Sequence, residues 1–195
     1  LRSFPNVTYA LKKNFTMHDL MARKEQVVKN ELAIITNQLD RNDVQIIHGT
    51  ASFVDPNTIQ VTMRDSRTES CQADYIVIAT GSRPRRSNDI PFNNRTIRDS
   101  DSILDTDSIP KTMAVLGGGV IGCEYATMFA AFGIKITLLD RRKELLRFVD
   151  QEVIQALIYH MRTNNVTVQL GEEITGVKED ERGRVVTTLK SGKTL

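Results

Sequence analysis

Three glycines at a fixed spacing are the first residues whose pattern indicates chemistry. Gly117, Gly119 and Gly122 follow one apolar run and precede a segment with helical apolar spacing. Glycines so placed between a strand and a helix are typical of a turn that holds the pyrophosphate of a dinucleotide. The first N–H groups of the helix, around Val120 and Ile121, would present partial positive charge to the phosphates. The alternative is a glycine-rich turn without a ligand.

Each of the three glycines has its own predicted task. Gly117 allows the tight turn, Gly119 lets the backbone approach a pyrophosphate closely, and Gly122 lets helix and strand pack tightly. The glycine pattern alone is a weak signal. The strand, helix and second strand around it supply the context that a dinucleotide site requires.

An acid and three arginines follow the second apolar run. Asp140 comes directly after the run 134–139, and Arg141, Arg142 and Arg147 come next. A carboxylate here can accept hydrogen bonds from the ribose of NAD, and it repels the 2′-phosphate of NADP. Arginine favours that phosphate, since a guanidinium pairs with it through two parallel hydrogen bonds. The mixture predicts a site that tolerates either dinucleotide; the alternative is that the arginines are ordinary surface charges.

Two further side chains lie near the start of the predicted helix. Glu124, expected on its first turn, is either a favourable acid near the positive end of the helix dipole or a group beside the nicotinamide. Cys123 is interpreted as a packing residue. The three histidines are far apart in the sequence, which also contains no cluster of metal-ligating residues. The chemistry is therefore expected to come from bound cofactors.

The elements that must position these residues predict an α/β fold. Residues 111–195 show the order β-α-β-α-β followed by a β-hairpin, with Asp150 as a helix N-cap and 181–183 as the hairpin turn. The expected parallel strands are 113–116, 134–139 and 166–170.

The sequence before residue 111 predicts a second region that contains both helix and strand. Thr16 is expected to cap a long helix with one apolar stripe. A further run, 75–79, is continuously apolar, as in a central parallel strand, and ends in Thr80 and Gly81, whose small size suits close approach of a ligand. Residues 85–111 form a polar crossover. The shorter β-like runs are 44–48, 51–54 and 58–63, with a turn signal at 55–57.

Composition narrows the classes of function. The net charge of +2 implies no nucleic-acid partner, and no apolar run is long enough to cross a membrane. Cys71 and Cys123 are too few for a disulfide framework and suit a cytoplasmic location. The chain begins at Leu1 without Met and stops at Leu195 in an apparent strand, so we expect a fragment of a longer protein.

The string 117–126, Gly-Gly-Gly-Val-Ile-Gly-Cys-Glu-Tyr-Ala, resembles the NAD(P) fingerprint of the FAD-dependent pyridine nucleotide-disulfide oxidoreductases of class I. The string 79–84, Ala-Thr-Gly-Ser-Arg-Pro, resembles the flavin-side turn of that family. Strings 81–84 with 99–104, and 120–126, resemble the branch that exchanges hydride between NADPH and NAD. The resemblance covers nearly the whole chain.

The resemblance implies a domain organisation and a set of cofactors. Residues 1–110 would be part of an FAD-binding Rossmann-like domain. Residues 111–195 would be an inserted three-layer NAD(P)-binding Rossmann-like domain without its last strand. The implied cofactors are FAD, NAD and NADP, with Ala51, Thr80 and Gly81 along FAD.

The resemblance also implies roles at the dinucleotide site. It places Glu124 beside the nicotinamide, Arg141 and Arg147 at the 2′-phosphate, and Asp140 at the ribose. The implied function is hydride exchange between NADPH and NAD through FAD, of the Si-specific type, in a homo-oligomeric parent, with the fragment alone inactive. The alternatives are a disulfide reductase similar to dihydrolipoamide dehydrogenase, a redox-sensing module without turnover, and a non-catalytic NAD(P)-binding piece.

Overall fold

The computed structural model describes residues 16–195, which form two compact units. One unit comprises residues 22–82, and the other comprises residues 83–195 together with 16–21. The α/β class is confirmed, because one parallel sheet with helices is combined with two antiparallel sheets. The domain division at residue 110 stays a prediction.

Helices and strands alternate from residue 112 to residue 170, and strands follow one another directly on either side of this part. In chain order they are α1 (Met17–Arg41), β1 (Thr50–Asp55), β2 (Thr58–Thr62), β3 (Thr68–Gln72), a 3-10 turn (Ser102–Asp105), β4 (Thr112–Leu116), α2 (Val120–Ala131), β5 (Lys135–Asp140), α3 (Gln151–Thr163), β6 (Val166–Leu170), β7 (Ile174–Glu179) and β8 (Val185–Leu189).

Helix α1 begins as the sequence predicts. The Asp19 N–H donates to Thr16 Oγ1 (3.2 Å) and the Thr16 N–H donates to Asp19 Oδ2 (3.0 Å), a reciprocal N-terminal cap. The expected apolar stripe is packed only at its start, because Leu20 borders the core whereas Val28 and Leu32 remain exposed. None of the helices in residues 16–195 combines the length and the apolarity that a membrane span needs.

Two runs that were expected to be strands, 44–48 and 75–79, are not strands. Tyr75 is 92% exposed and Val77 87% exposed. A strand persists only where neighbours satisfy its backbone groups, and the strands of residues 22–82 pair only among themselves, in the order β1-β2-β3. Thr80 therefore does not follow a sheet strand, contrary to the expectation.

Both predicted β-turns form, and in each of them an aspartate side chain accepts hydrogen bonds from backbone N–H groups. The Asn57 N–H donates to Asp55 Oδ1 (2.9 Å) between β1 and β2. The Arg182 and Arg184 N–H groups donate to Asp180 Oδ1 (2.9 and 2.8 Å) between β7 and β8. Asx turns of this kind reverse the chain locally, so short-range sequence signals suffice to predict them.

The parallel sheet has the order β4-β5-β6, and its central strand is the most buried. Ile136 and Leu138 are fully buried between the flanking strands and the helices. Each contributes about 1.5–3 kcal/mol through burial of its side chain. Asp150 caps α3 as predicted, since its side chain accepts from the Glu152 N–H (2.8 Å).

The register of the sheet determines where the site lies. Leu116 at the end of β4 pairs with Leu139, the neighbour of Asp140 in β5. The glycine turn therefore leaves the sheet beside the carboxyl end of β5. In open α/β sheets this edge is where ligands bind.

Candidate dinucleotide site

The glycine turn adopts a conformation that requires two of its glycines. Gly117 has a φ of +112°, and its N–H donates to Leu139 O (2.8 Å). A Cβ at Gly122 would lie 1.9 Å from the carbonyl oxygen of Gly117 and 3.5 Å from Val115 Cγ1. Gly122 thus allows the helix to approach the turn itself, more closely than it approaches the strand.

Gly119 differs, because it is the N-cap of α2 and a Cβ there would meet no atom within 4 Å. The side chains of Val120 and Ile121, which follow it, are 45% and 54% exposed. The first N–H groups of a helix have no acceptor within the helix and carry partial positive charge. This side of the turn can therefore accommodate an anionic group.

Asp140 is held in a network that its position in the sequence did not reveal. It is 5% exposed, and its carboxylate accepts four hydrogen bonds. Oδ2 accepts from the Gly118 N–H (2.7 Å) and Arg142 Nη2 (2.5 Å). Oδ1 accepts from the N–H of Arg142 (2.8 Å) and its Nε (2.9 Å). The Arg142 side chain foremost, against the effect of burial, lowers the pKa of Asp140 to about 2.

Gly118 is a site residue to which the sequence reasoning assigned no task. A Cβ there would lie 2.6 Å from Leu145 Cδ1 and 3.3 Å from Asp140 Oδ2. The absence of a side chain lets Asp140 reach the backbone N–H of the turn. The only signal for this in the sequence is that the variable position between Gly117 and Gly119 is also glycine.

The chain just after Asp140 is also fixed by the end of β6. The Glu172 N–H donates to Asp140 O (3.1 Å), and the Gly171 N–H donates to Arg142 O (2.9 Å). Backbone hydrogen bonds on both residues of the ion pair hold its geometry. The charged group therefore occupies a defined place at the sheet edge.

The three arginines differ in their surroundings. Arg142 pairs with Asp140 and is 44% exposed. Arg147 Nε lies 3.2 Å from Glu144 Oε2, and both side chains are more than half exposed, so this pair contributes little. The pKa of Glu173 is lowered, mainly by its hydrogen bond from Lys190 and to a smaller extent by the positive charge of Arg141. The structure brings Arg142 to Asp140; the placement of Arg141 and Arg147 at a 2′-phosphate stays a prediction.

The surroundings of Glu124 and Cys123 on α2 bear on the roles that the sequence predicted for them. Glu124 is exposed and is the fifth residue of the helix. It therefore lies beyond the first turn, and the expectation that it lies on the first turn is wrong. A stabilising interaction with the helix dipole is weaker there, because that effect falls off after the first turn. Cys123 is 5% exposed and burial raises the pKa of its thiol, which confirms its interpretation as a packing residue.

The residues predicted to lie along a flavin belong to the unit 22–82. Ala51 is exposed on β1 and pairs with Val61. Thr80 and Gly81 are exposed, and Gly81 has a φ of +71°. Their placement along FAD stays a prediction.

Comparison with known sequences relates the whole chain to one family. A family model described as pyridine nucleotide-disulphide oxidoreductase matches residues 2–195. The soluble pyridine nucleotide transhydrogenase of Mycobacterium bovis (strain BCG / Pasteur 1173P2) is 44% identical over 195 residues, which are 100% of this chain and 42% of that protein. The protein of the same name from Pseudomonas aeruginosa (strain LESB58) is 41% identical over 181 residues, 93% of this chain and 39% of that one. The chain thus spans less than half the length of these relatives.

Two solved structures share the fold. LpdA from Mycobacterium tuberculosis has a TM-score of 0.86 at 24% identity, covering 93% of this chain and 41% of that one. The HOCl-induced flavoprotein disulfide reductase RclA from Escherichia coli has a TM-score of 0.75 at 25% identity, covering 90% of this chain and 39% of that one. The expected α/β fold is confirmed by both.

Proposed function

The chain belongs to the pyridine nucleotide-disulphide oxidoreductase family, and from this premise we propose that the complete gene product exchanges hydride between NADPH and NAD. The relatives that match all or nearly all of the chain carry the name soluble pyridine nucleotide transhydrogenase. The observation that carries the proposal is a glycine-rich turn whose neighbouring carboxylate is neutralised by an arginine. Such a site has no uncompensated charge against either dinucleotide.

The glycine turn fits the pyrophosphate of NAD or NADP. Gly119 leaves open space beside the helix N-terminus, and Gly117 has the left-handed conformation of the turn. In this proposal the N–H groups at Val120 and Ile121 hold the pyrophosphate, and Glu124 lies toward the nicotinamide. FAD, when bound along Ala51, Thr80 and Gly81, supplies the acceptor and donor of hydride, of the Si-specific type.

The setting of the activity is part of the same proposal. Cys71 and Cys123 are both free, which suits a cytoplasmic enzyme. A homo-oligomeric enzyme is part of the proposal because the family resemblance implies it. The relatives are more than twice as long as this chain, so we expect that residues 1–195 alone do not turn over.

The test is an exchange assay on the complete gene product with NADPH and a spectrally distinct NAD analogue. We expect transfer of reducing equivalents to the analogue without any disulfide substrate. NADPH oxidation that requires a disulfide would instead favour a reductase, the class of RclA. Flavin reduction by NADPH without transfer to the analogue would favour a redox-sensing module. Residues 1–195 expressed alone serve as the control, and they are expected to be inactive.

The arginines outside the ion pair give a second test. Arg141→Ala combined with Arg147→Ala should lower the affinity for NADPH by about ten- to hundredfold and the affinity for NADH by less than about threefold. The reason is that hydrogen bonds to charged groups contribute about 1.5–3 kcal/mol, and only NADPH carries the 2′-phosphate. The measurement is the dissociation constant of each dinucleotide. The matched control removes two exposed positive charges from the hairpin by Arg182→Ala with Arg184→Ala. Equal losses for both dinucleotides would contradict the phosphate assignment.

A further inference from the structure

The crossover loop, defined as residues 86–102, docks on the hairpin through one carboxylate. Glu179, the last residue of β7, accepts hydrogen bonds at Oε2 from Asn93 Nδ2 (3.0 Å) and Thr96 Oγ1 (2.8 Å). Arg95 forms an ion pair with the other oxygen of this carboxylate. Asn93 Oδ1 in turn accepts from three consecutive backbone N–H groups of the loop, beginning with that of Arg95 (2.9 Å). One part of the loop is therefore fixed to a strand that comes much later in the sequence.

Another part of the crossover loop contacts the helix that follows the glycine turn. Tyr125, on the second turn of α2, donates from its hydroxyl group to Ser100 O (2.9 Å). The Tyr125 ring stacks on the ring of Phe129, which is buried in the core, with 6.0 Å between the ring centroids. A carbonyl group of the loop thus holds a side chain of α2 from outside the core.

The crossover loop is held stiff between these two contacts. Arg86 Nη2 donates to Asn94 Oδ1 (2.8 Å), and Arg86 Nε donates to Asp99 Oδ2 (2.6 Å). The Arg86 guanidinium also lies 5.2 Å from the centroid of the Phe92 ring. Asp99 Oδ1 accepts from the N–H (2.8 Å) and the hydroxyl group (2.7 Å) of Ser102. These contacts join the part of the loop on β7 to the part on α2, so a displacement of one part is transmitted to the other.

The first turn of α2 has little side-chain packing of its own. The side chains of Val120 and Ile121 are about half exposed, Gly122 has none, and Cys123 is the first buried residue of the helix. The direction of the first turn is therefore determined by the rest of the helix, which includes Tyr125.

We propose that Glu179 is a positioning residue for the dinucleotide site and acts through the crossover loop and Tyr125. Glu179 fixes the loop on β7, and the carbonyl group of Ser100 then sets the direction of the Tyr125 hydroxyl, because a hydrogen bond requires alignment of donor and acceptor. The first N–H groups of the same helix face the open side of the glycine turn, so their direction depends on this contact. The inference rests on the proposed function, since it assumes that a dinucleotide binds at the turn.

The experiment measures the dissociation constants of NAD and NADP for the complete gene product by calorimetry, with both dinucleotides in the oxidised form so that the flavin is not reduced. Glu179→Ala and Tyr125→Phe should each lower the affinity for both dinucleotides by about threefold to tenfold. The two dinucleotides should lose the same factor, because they share the pyrophosphate. The double variant should bind no more weakly than the weaker single variant, since both substitutions break the same connection.

Matched variants separate positioning from a general loss of stability. Asp180 follows Glu179 directly, and its side chain accepts only from residues of the hairpin turn, so Asp180→Ala should leave both dissociation constants unchanged. Glu179→Gln keeps an oxygen that can accept from Asn93 and Thr96, and both dissociation constants should stay within about twofold of the wild-type values. If Glu179→Ala does not fold, Arg86→Met replaces it in the comparison with Tyr125→Phe. That variant breaks the loop between its two contacts and should give the same loss.

Four results would overturn the inference. Wild-type affinities in Glu179→Ala would show that the crossover loop does not act on the glycine turn. A loss in the double variant equal to the product of the two single losses would show that Glu179 and Tyr125 act independently. An equal loss of affinity in Asp180→Ala would show a general effect of the hairpin. A wild-type protein that binds neither NAD nor NADP would overturn the proposed function as well, and only this fourth result would do so.

Discussion

Replacing Gly122 by alanine should lower the melting temperature by about 10 °C and abolish dinucleotide binding. The new Cβ would lie 1.9 Å from the Gly117 carbonyl oxygen, a distance that no side-chain rotation can relieve. The helix or the turn must move, which we expect to cost about 3 kcal/mol. Thermal unfolding and the dissociation constant of NADP measure the two effects.

Gly119→Ala is the matched control for this prediction. Its Cβ would meet no atom within 4 Å, and its φ of −78° suits alanine, so we expect a melting temperature within about 2 °C of the wild type. The methyl group would occupy the open side of the turn, and dinucleotide affinity should fall by about tenfold. Wild-type affinity in Gly119→Ala would show that the phosphates bind elsewhere, and wild-type stability in Gly122→Ala would contradict the described turn.

Replacing Asp140 by alanine should cost about 2–3 kcal/mol of unfolding free energy. The substitution leaves the Gly118 N–H without its acceptor at the edge of the core, whereas the half-exposed Arg142 guanidinium regains contact with water. Denaturant unfolding near neutral pH measures the loss. Asp180→Ala in the hairpin removes a carboxylate with a similar set of donors in a more exposed place, and it should cost about 1 kcal/mol. Equal costs at the two positions would mean that burial does not strengthen the Asp140 network.

The cost of Asp140→Ala should also depend on pH. The folded state lowers the pKa of Asp140 from 3.8 to about 2, chiefly through the Arg142 hydrogen bond. A lowered pKa stabilises the fold above the unfolded-state pKa, and this contribution is lost as the pH falls through the folded-state value. The difference between wild type and variant should therefore shrink by about 2 kcal/mol from pH 4 downward to about pH 2. A difference that stays constant over this window would contradict the lowered pKa.

Comparing the variant with the wild type isolates this effect from other acids. Asp99 also has a lowered pKa, through hydrogen bonds from Arg86 and Ser102. It titrates in both proteins, so its contribution cancels in the difference.

The sequence by itself determined the helices and strands of residues 111–195. The parallel strands, the glycine turn, the Asp150 cap and the hairpin turn all lie where the pattern predicted them. Apolar periodicity, helix capping and turn formation each depend on a few neighbouring residues, so their signals can be recognised in the sequence alone. The family, too, follows from such local strings, as the match over residues 2–195 confirms.

The tertiary structure alone decided which groups surround the charges and which apolar runs become strands. The run 75–79 has strand-forming residues but no neighbour that pairs with it in residues 16–195, and pairing is not written in one segment. The sequence placed an acid beside arginines at Asp140 and left its partners open. The fold brings the N–H of Gly118 from a distant turn to this carboxylate and turns Arg142 onto it. The donors that fill all positions of a carboxylate are brought to it by the folded chain. The role of Asp140 could therefore not be predicted from its position in the sequence.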